Sequence, residues 1–309
     1  MSESKPILKR IFYYRWVYLL LLPGLIQLII FAYGPMYGLQ LAFRNWNATD
    51  GIWGSPWVGL RHWRFMFNDA LFFRAIRNTV TLSFMHLVVG FPFPIILAVL
   101  INELRSRKLS RTLQTIFTFP NFLSWIVISG IVIRLFATEG IVNHIAWATF
   151  WPDWSNRVLR ESGQFRWFLV FSGIWRGAGW SAIIYLASIA GIDPSLYESA
   201  TVDGANRFHK IWYITWPGLK LVATMMFVLA IGGIMGGNFD QIFNTENPVV
   251  RPGSDIIDTF VFRSMREGLP NFGYLTAVGM FNGVINCMLL LTANFVATRA
   301  RGESLFARG

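Results

Sequence analysis

Long apolar runs broken by short polar or charged ones dominate the chain, and the run lengths predict elements before any motif is consulted. The runs are Trp16–Phe43, Ile76–Ile101, Leu113–Phe136, Trp167–Gly191, Gly218–Phe239 and Tyr274–Ala297. Each is long enough for a helix to cross a hydrocarbon core about 30 Å thick, which takes about 20 residues. The first run is too long for a signal-peptide core and has no small-residue cleavage site, so it reads as a retained span. Residues 1–15 read as a basic lead-in lying at the membrane interface, and GIWGSPWVGLRHW as an ordered interfacial loop. Gly90, Pro92 and Pro94 interrupt the second run, which places that helix inside a bundle where neighbours satisfy the freed backbone groups. The expected fold is all-α and integral to the membrane, with six transmembrane helices and both termini on one side.

Composition agrees with the pattern. Of 309 residues 54% are hydrophobic and 14% charged, and 28 Phe and 14 Trp are present, which excludes an ordinary soluble domain. The net charge of +11 comes from basic residues that punctuate apolar spans, as in ELRSRKLSR, rather than from a nucleic-acid-binding face. Those residues are densest in the segments that a six-span count puts on the side of the termini, so that side is the cytoplasm. The lone Cys287 gives neither a disulfide framework nor a metal-ligand cluster.

Fuel can be argued from what the sequence lacks. No Asp or Glu lies inside a proposed span, so the carboxylate relays of ion-coupled carriers are missing. A G-x-x-x-x-G-K-S/T phosphate loop is missing as well. A transporter with neither device, but with a docking loop facing the cytoplasm, most economically borrows an ATPase in trans. No G-x-S-x-G or H-E-x-x-H occurs, and His62, His86, His144 and His209 are isolated in sequence, which argues against an intramembrane enzyme.

The docking device is legible at residues 191–217. Asp193-Pro194 opens a helix. Ser199, Ala200, Gly204 and Ala205 keep it slim, and Phe208, Ile211, Trp212 and Ile214 supply bulk for a contact. Glu198-Ser199-Ala200, three residues, Gly204, nine residues, Ile214, one residue and Trp216-Pro217 resemble the E-A-A loop signature of ATP-binding-cassette importer permeases, with Ser199 and Trp216 departing from its usual Ala and Leu. The segments LLLLPGLIQLIIFAYGPMYGLQLAF and GIWGSPWVGLRHW, and Asn78-Thr79-Val80, are similar to the polysaccharide-type permeases of carbohydrate uptake.

That resemblance covers nearly the whole chain. It implies the type I ABC importer permease fold, with residues 1–74 as lead-in, first helix and outer loop, 75–299 as the permease core, and 300–309 as a cytoplasmic tail. It places the chain in a bacterial cytoplasmic (inner) membrane, paired with a second homologous permease, two cytoplasmic ATP-binding subunits and an extracytoplasmic solute-binding protein. Cofactors would be none on this chain, with ATP and Mg in the partner ATPase. Glu198, Ser199, Ala200, Asp203, Gly204, Ile214 and Pro217 would couple to that ATPase.

For the cargo path the candidates are Arg176 with Trp175 and Trp180, then Asn238, Asp240 and Gln241, and the pair Asn282 and Asn286. Aromatic planes complement apolar pyranose faces, and amide or guanidinium groups bind hydroxyls and carboxylates. Arg176 could equally pair with Asp240 or a backbone carbonyl. Gly232, Gly233, Gly236 and Gly237 read as close helix packing, the two asparagines equally as interhelical hydrogen bonds, and His86 as packing. Buried arginines without buried carboxylates suggest an acidic oligosaccharide of the uronate type, a neutral oligosaccharide or another small solute being the alternative.

Overall fold

The computed structural model describes residues 12–149, 156–267 and 270–301; most of the proposed lead-in and the end of the tail lie outside them. The described residues are helical, with only isolated β-bridges. They divide into two units, one holding residues up to Met66 together with the start of the last helix as far as Met280, the other holding the rest.

In the first unit, helix α1 (Arg15–Phe43) is exposed along nearly all of its length and buries only Ala42. The tryptophan-rich loop after it is ordered by one cation. Arg44 donates to the carbonyls of Trp53 (2.8 Å) and Ser55 (2.9 Å), and its guanidinium lies over the rings of Trp53 and Trp57. Gly51 and Gly59 make the turns with φ of 65° and 56°, a region that costs residues with a Cβ about 1–2 kcal/mol. His62 Nε2 donates to the Arg44 carbonyl at 3.0 Å, and Gly273 leaves room for the His62 ring.

The second unit contains α2 (Ala70–Asn102), α3 (Arg107–Phe122), α4 (Trp125–Leu135), α5 (Ile141–Thr149), α6 (Ser162–Ala190), α7 (Pro194–Val202), α8 (Arg207–Gly232), α9 (Phe239–Thr245) and α10 (Ile257–Arg266). The latter part of α11 (Phe272–Arg301) belongs to it too. At its centre α6 packs against α2 and α8. Ile95, Ala98 and Ile101 of α2 and Leu219 and Ala223 of α8 enclose Ile174, Ala178, Ala182, Tyr185 and Ile189 of α6. Gly179 lies so close to the main chain of Phe117 and Thr118 that a Cβ would overlap it. In lipid, where apolar surface gains nothing by meeting apolar surface, close approach of this kind is what holds helices together.

Two expectations change here. The third run is not one straight span: α3 and α4 meet at 97°. Pro120 tightens the end of α3, Leu123 is extended, and Ser124 caps α4 by accepting from Val127 N at 3.4 Å. Among the described residues four helices are long and apolar enough to cross a membrane, or five if the bent pair counts as one. Helix α6 is not one of them. Its 29 residues give about 43 Å at 1.5 Å per residue, so length is not what it lacks. A helix shielded by its neighbours can carry Arg166, Ser172, Arg176 and Ser181, which lower its hydropathy without facing lipid.

A buried ionic clamp fixes the far end of this unit. Arg263 donates to Glu246 (2.5 Å) and Asp255 (2.9 Å), and Arg251 and Arg74 stand 3.8 and 4.0 Å from those carboxylates. Beside it, Asn78 donates to the carbonyls of Pro252 and Asp255 and accepts from Arg166, which also donates to the Gly253 carbonyl. Thr79 accepts from Ile257 N at 3.0 Å. The Asn78-Thr79 pair at the head of the second run therefore ties residues 250–257 to α2 and α6.

Candidate functional site

The polar island at 193–217 folds as a short helix, a turn and a second helix, standing off the end of α6. Asp193 caps α7 by accepting from Ser195 N at 2.9 Å, a bond that holds its carboxyl below the ordinary aspartate range. Gly204, with φ 80°, reverses the chain. Asn206 then caps α8 by accepting from His209 N at 2.9 Å. Two side-chain contacts brace the turn: Tyr197 Oη to Thr215 Oγ1 (2.9 Å) and Lys210 Nζ to Thr201 Oγ1 (2.7 Å). Glu198, Ser199, Asp203, Gly204 and Pro217 are exposed, Ala200 and Ile214 are half-buried, and α7 buries no residue at all. Val202 and Phe208 are 89% and 80% exposed. This is a braced, solvent-facing lever with apolar tips.

The second feature is a half-open cavity of 390 Å³ lined by α2, α6, α8, α9 and the segment 233–238 that joins the last two. Its apolar wall is Leu82, Leu87, Phe91, Leu169, Met226 and Leu229, and its polar groups are Ser83, His86, Ser181, Tyr185, Asn238 and Gln241. Among the described residues no Asp, Glu, Lys or Arg lines it. It sits at mid-depth of α2, where residues 86–90 form a wide turn, a device frequent at functional sites. Gly173 leaves space for the imidazole. His86 Nδ1 donates to the Leu82 carbonyl at 3.1 Å, so the Nε2 of the neutral ring is an acceptor, 3.5 Å from Asn238 Nδ2. Gln241 is fully buried and donates to Leu169 O (2.7 Å) and Ser172 Oγ (2.9 Å), while its Oε1 has no partner among the described residues. A buried acceptor without a donor costs about 1–3 kcal/mol.

Of the eight cargo-path candidates, the structure places Asn238 and Gln241 on this wall and the others elsewhere. Arg176 donates to the carbonyls of Leu123 (3.1 Å) and Asn121 (3.3 Å), with its guanidinium 5.0 Å from the Trp125 ring centre. It therefore satisfies main-chain groups freed by the bend between α3 and α4. Its partner is backbone rather than Asp240, the second option that the sequence left open. Trp180 meets Phe122 edge-on, and Trp175 and Trp180 are both half-exposed. Asn286 Oδ1 accepts from Met235 N at 3.0 Å, just past the end of α8, and Asn282 Oδ1 is buried without a partner among the described residues. Gly232 and Gly237 serve close packing, against Leu290 and Ile256, while Gly233, Gly236 and Gly237 open the cavity wall.

His86, Ser83, Ser181 and Tyr185 were not among the cargo candidates. Single polar residues in apolar helices carry no periodic signal, and only the cavity brings these four together. The ionic clamp was equally invisible, since its members lie on segments 74, 246–255 and 263.

Comparison with known proteins gives the family. Residues 90–301 match the model of the family described as "Binding-protein-dependent transport system inner membrane component". The chain is 36% identical over 294 residues to Protein LplB of Bacillus subtilis, covering 94% of this chain and 91% of that protein. It is also 36% identical over 307 residues to the polygalacturonan/rhamnogalacturonan transport system permease protein YteP of Bacillus subtilis, covering 99% and 94%. Among solved structures it is similar to a chain of a bacterial ABC transporter involved in the import of the acidic polysaccharide alginate, with TM-score 0.87, 35% identity, and 96% and 100% coverage. The chain therefore belongs to the family of binding-protein-dependent transport system inner membrane components.

Proposed function

We propose that this chain is the permease subunit of an ATP-driven, binding-protein-dependent importer that moves an oligosaccharide into the cytoplasm by alternating access. It would span a bacterial inner membrane six times, the bent α3–α4 pair and α6 completing the count, with both termini cytoplasmic. A second permease, two ATP-binding subunits and a solute-binding protein would complete the assembly, ATP and Mg being held by the ATPase.

The observation that carries this reading is connection: α8, one wall of the cavity, begins inside the exposed 193–217 segment, and α6, another wall, ends three residues before it. Force applied to α7 reaches α6 through the short turn at 191–193 and α8 through the Gly204 turn, which the Tyr197–Thr215 and Lys210–Thr201 contacts brace. The resemblance to permeases whose names specify polygalacturonan/rhamnogalacturonan and alginate supports an acidic cargo. The cavity supports a narrower role for this subunit: its neutral lining of His86, Asn238, Gln241 and hydroxyls suits sugar hydroxyls, and charge would be selected by the binding protein.

The test is uptake of labelled uronate and neutral oligosaccharides by cells expressing the full transporter. Glu198→Ala and Gly204→Asp should abolish uptake while leaving the chain in the membrane. Gln241→Leu should lower uptake of every accepted sugar, acidic or neutral, by a similar factor. Normal uptake with both loop variants would overturn the coupling role. Selective loss of the acidic sugar in Gln241→Leu would overturn the neutral reading of the cavity.

A further inference from the structure

The cavity has two polar ends, and the hydroxyls of the second are idle within the chain. At the first end Gln241 donates to Leu169 O and Ser172 Oγ, and His86 lies against Gly173 with Asn238 beside it. These three groups therefore stand level with residues 169–173 of α6. At the second end, toward α7, the polar lining is Ser181 and Tyr185. They are four residues apart on α6 and so share one face.

Neither hydroxyl at this second end has a hydrogen-bond partner among the described residues. A serine within a helix often returns its hydroxyl to the main chain one turn back, as Ser172 does to the Phe168 carbonyl at 2.7 Å; Ser181 does not. A buried tyrosine hydroxyl usually finds a partner. Tyr185 is 2% exposed and belongs to the apolar core of α2, α6 and α8, yet its oxygen has none. Packing accounts for the ring and not for the oxygen, since phenylalanine would fill the same space without an unpaired hydroxyl.

The rise of α6 sets the distance between the two ends. Ser181 is nine residues beyond Ser172, about 14 Å at 1.5 Å per residue, and Tyr185 stands about 6 Å further on. Between the ends the wall is apolar, with Leu87, Phe91, Met226 and Leu229. One sugar ring cannot touch both ends at once. A linear chain of several rings can, with the apolar faces of its middle rings against those side chains.

We propose that Ser181 and Tyr185 form a second hydroxyl-binding subsite, and that with Asn238 and Gln241 at the other end it makes the cavity read the length of a linear oligosaccharide. This rests on the importer reading above and adds to it a chain-length requirement and the two residues that set it. Each hydroxyl can donate and accept, so the subsite takes sugar hydroxyls or ring oxygens and needs no carboxylate.

The experiment compares uptake of labelled dimers and tetramers, from a uronate and a neutral series, at sub-saturating concentration by cells expressing the full transporter. In Tyr185→Phe and in Ser181→Ala, tetramer uptake should fall roughly five-fold, the effect of about one hydrogen bond. Dimer uptake should stay at the wild-type rate, because a dimer held at the amide end does not reach the hydroxyls. The binding protein is unchanged, so its own preference for length cancels in the variant-to-wild-type ratio. Neither variant should lower the melting temperature of the purified transporter, since neither hydroxyl has an internal partner to lose. Equal loss of dimer and tetramer, no loss of either, or a lower melting temperature would overturn the subsite and leave the importer reading standing. Wild-type cells that take up none of these sugars would overturn the importer reading, and the subsite with it.

Discussion

Replacing Arg263 by Met strips the ionic clamp of its central cation. Arg263 holds Glu246 and Asp255 together, at 2.5 and 2.9 Å, and those side chains are only 5% and 2% exposed. Without it the nearest cations are Arg251 at 3.8 Å and Arg74 at 4.0 Å, too far for good hydrogen bonds. Removing one partner of a buried pair leaves an uncompensated charge and costs about 3–5 kcal/mol. At 1.36 kcal/mol per decade that is roughly two to four decades in the opening equilibrium of the 246–267 segment. Hydrogen exchange of its amides reads the change directly. Glu267→Ala is the control, because Glu267 is 66% exposed and 4.0 Å from Arg263, and pairs of that kind contribute about 0–1 kcal/mol. Combining Arg263→Met with Glu246→Gln and Asp255→Asn should restore most of the protection, since uncharged side chains no longer need the cation. If Arg263→Met exchanges within a few-fold of wild type, the clamp is not what fastens this segment.

Further expectations concern the bend, the lever and pH. Arg176→Met should cost about 1–3 kcal/mol by orphaning the Asn121 and Leu123 carbonyls, visible as a lower melting temperature by tryptophan fluorescence. Asp240→Ala should cost little, and the opposite ranking would restore an Arg176–Asp240 pairing. Gly204→Ala forces a Cβ into φ 80° at about 1–2 kcal/mol and should weaken ATPase co-purification several-fold, whereas Gly177→Ala, whose Cβ meets nothing within 4 Å, should not. Burial, the largest influence, holds the Glu246 carboxyl above the ordinary glutamate range although Arg263 pulls the other way. The folded state thus binds this proton more tightly than the unfolded one. Stability from this source is complete below the unfolded value and is lost as pH rises through the folded one. Exchange of the 246–267 amides should therefore rise across that window in wild type, and that component should vanish in Glu246→Gln.

The helices were legible because hydrophobic run length is a local property, and Asp193-Pro194 and Gly204 announced the helix–turn–helix segment because caps and positive-φ turns are written in residue type, whereas the Asn206 cap came only with the structure. The bend after Phe122 was missed: Pro120-Asn121 falls within the first turns of the third run, where proline is tolerated, and the bend depends on Arg176, distant in sequence, taking the freed carbonyls. The same distance problem hid the cavity. Asn238 and Gln241 stood out as amides near glycines, yet His86 is one imidazole in an apolar helix, and only the approach of α6 at Gly173 reveals that its Nε2 faces a shared space.

Arg176 also limits what acidic cargo can mean for this chain. A guanidinium that donates to two carbonyls and lies over Trp125 has part of its hydrogen-bonding capacity committed, and drawing it toward a carboxylate would reopen the bend between α3 and α4. A cavity lined only by uncharged groups lowers the cost of releasing an acidic sugar, because no tight bidentate ion pair must be broken on the way out. Weak, hydroxyl-directed contacts at mid-depth and charge selection elsewhere are thus compatible demands on one pathway.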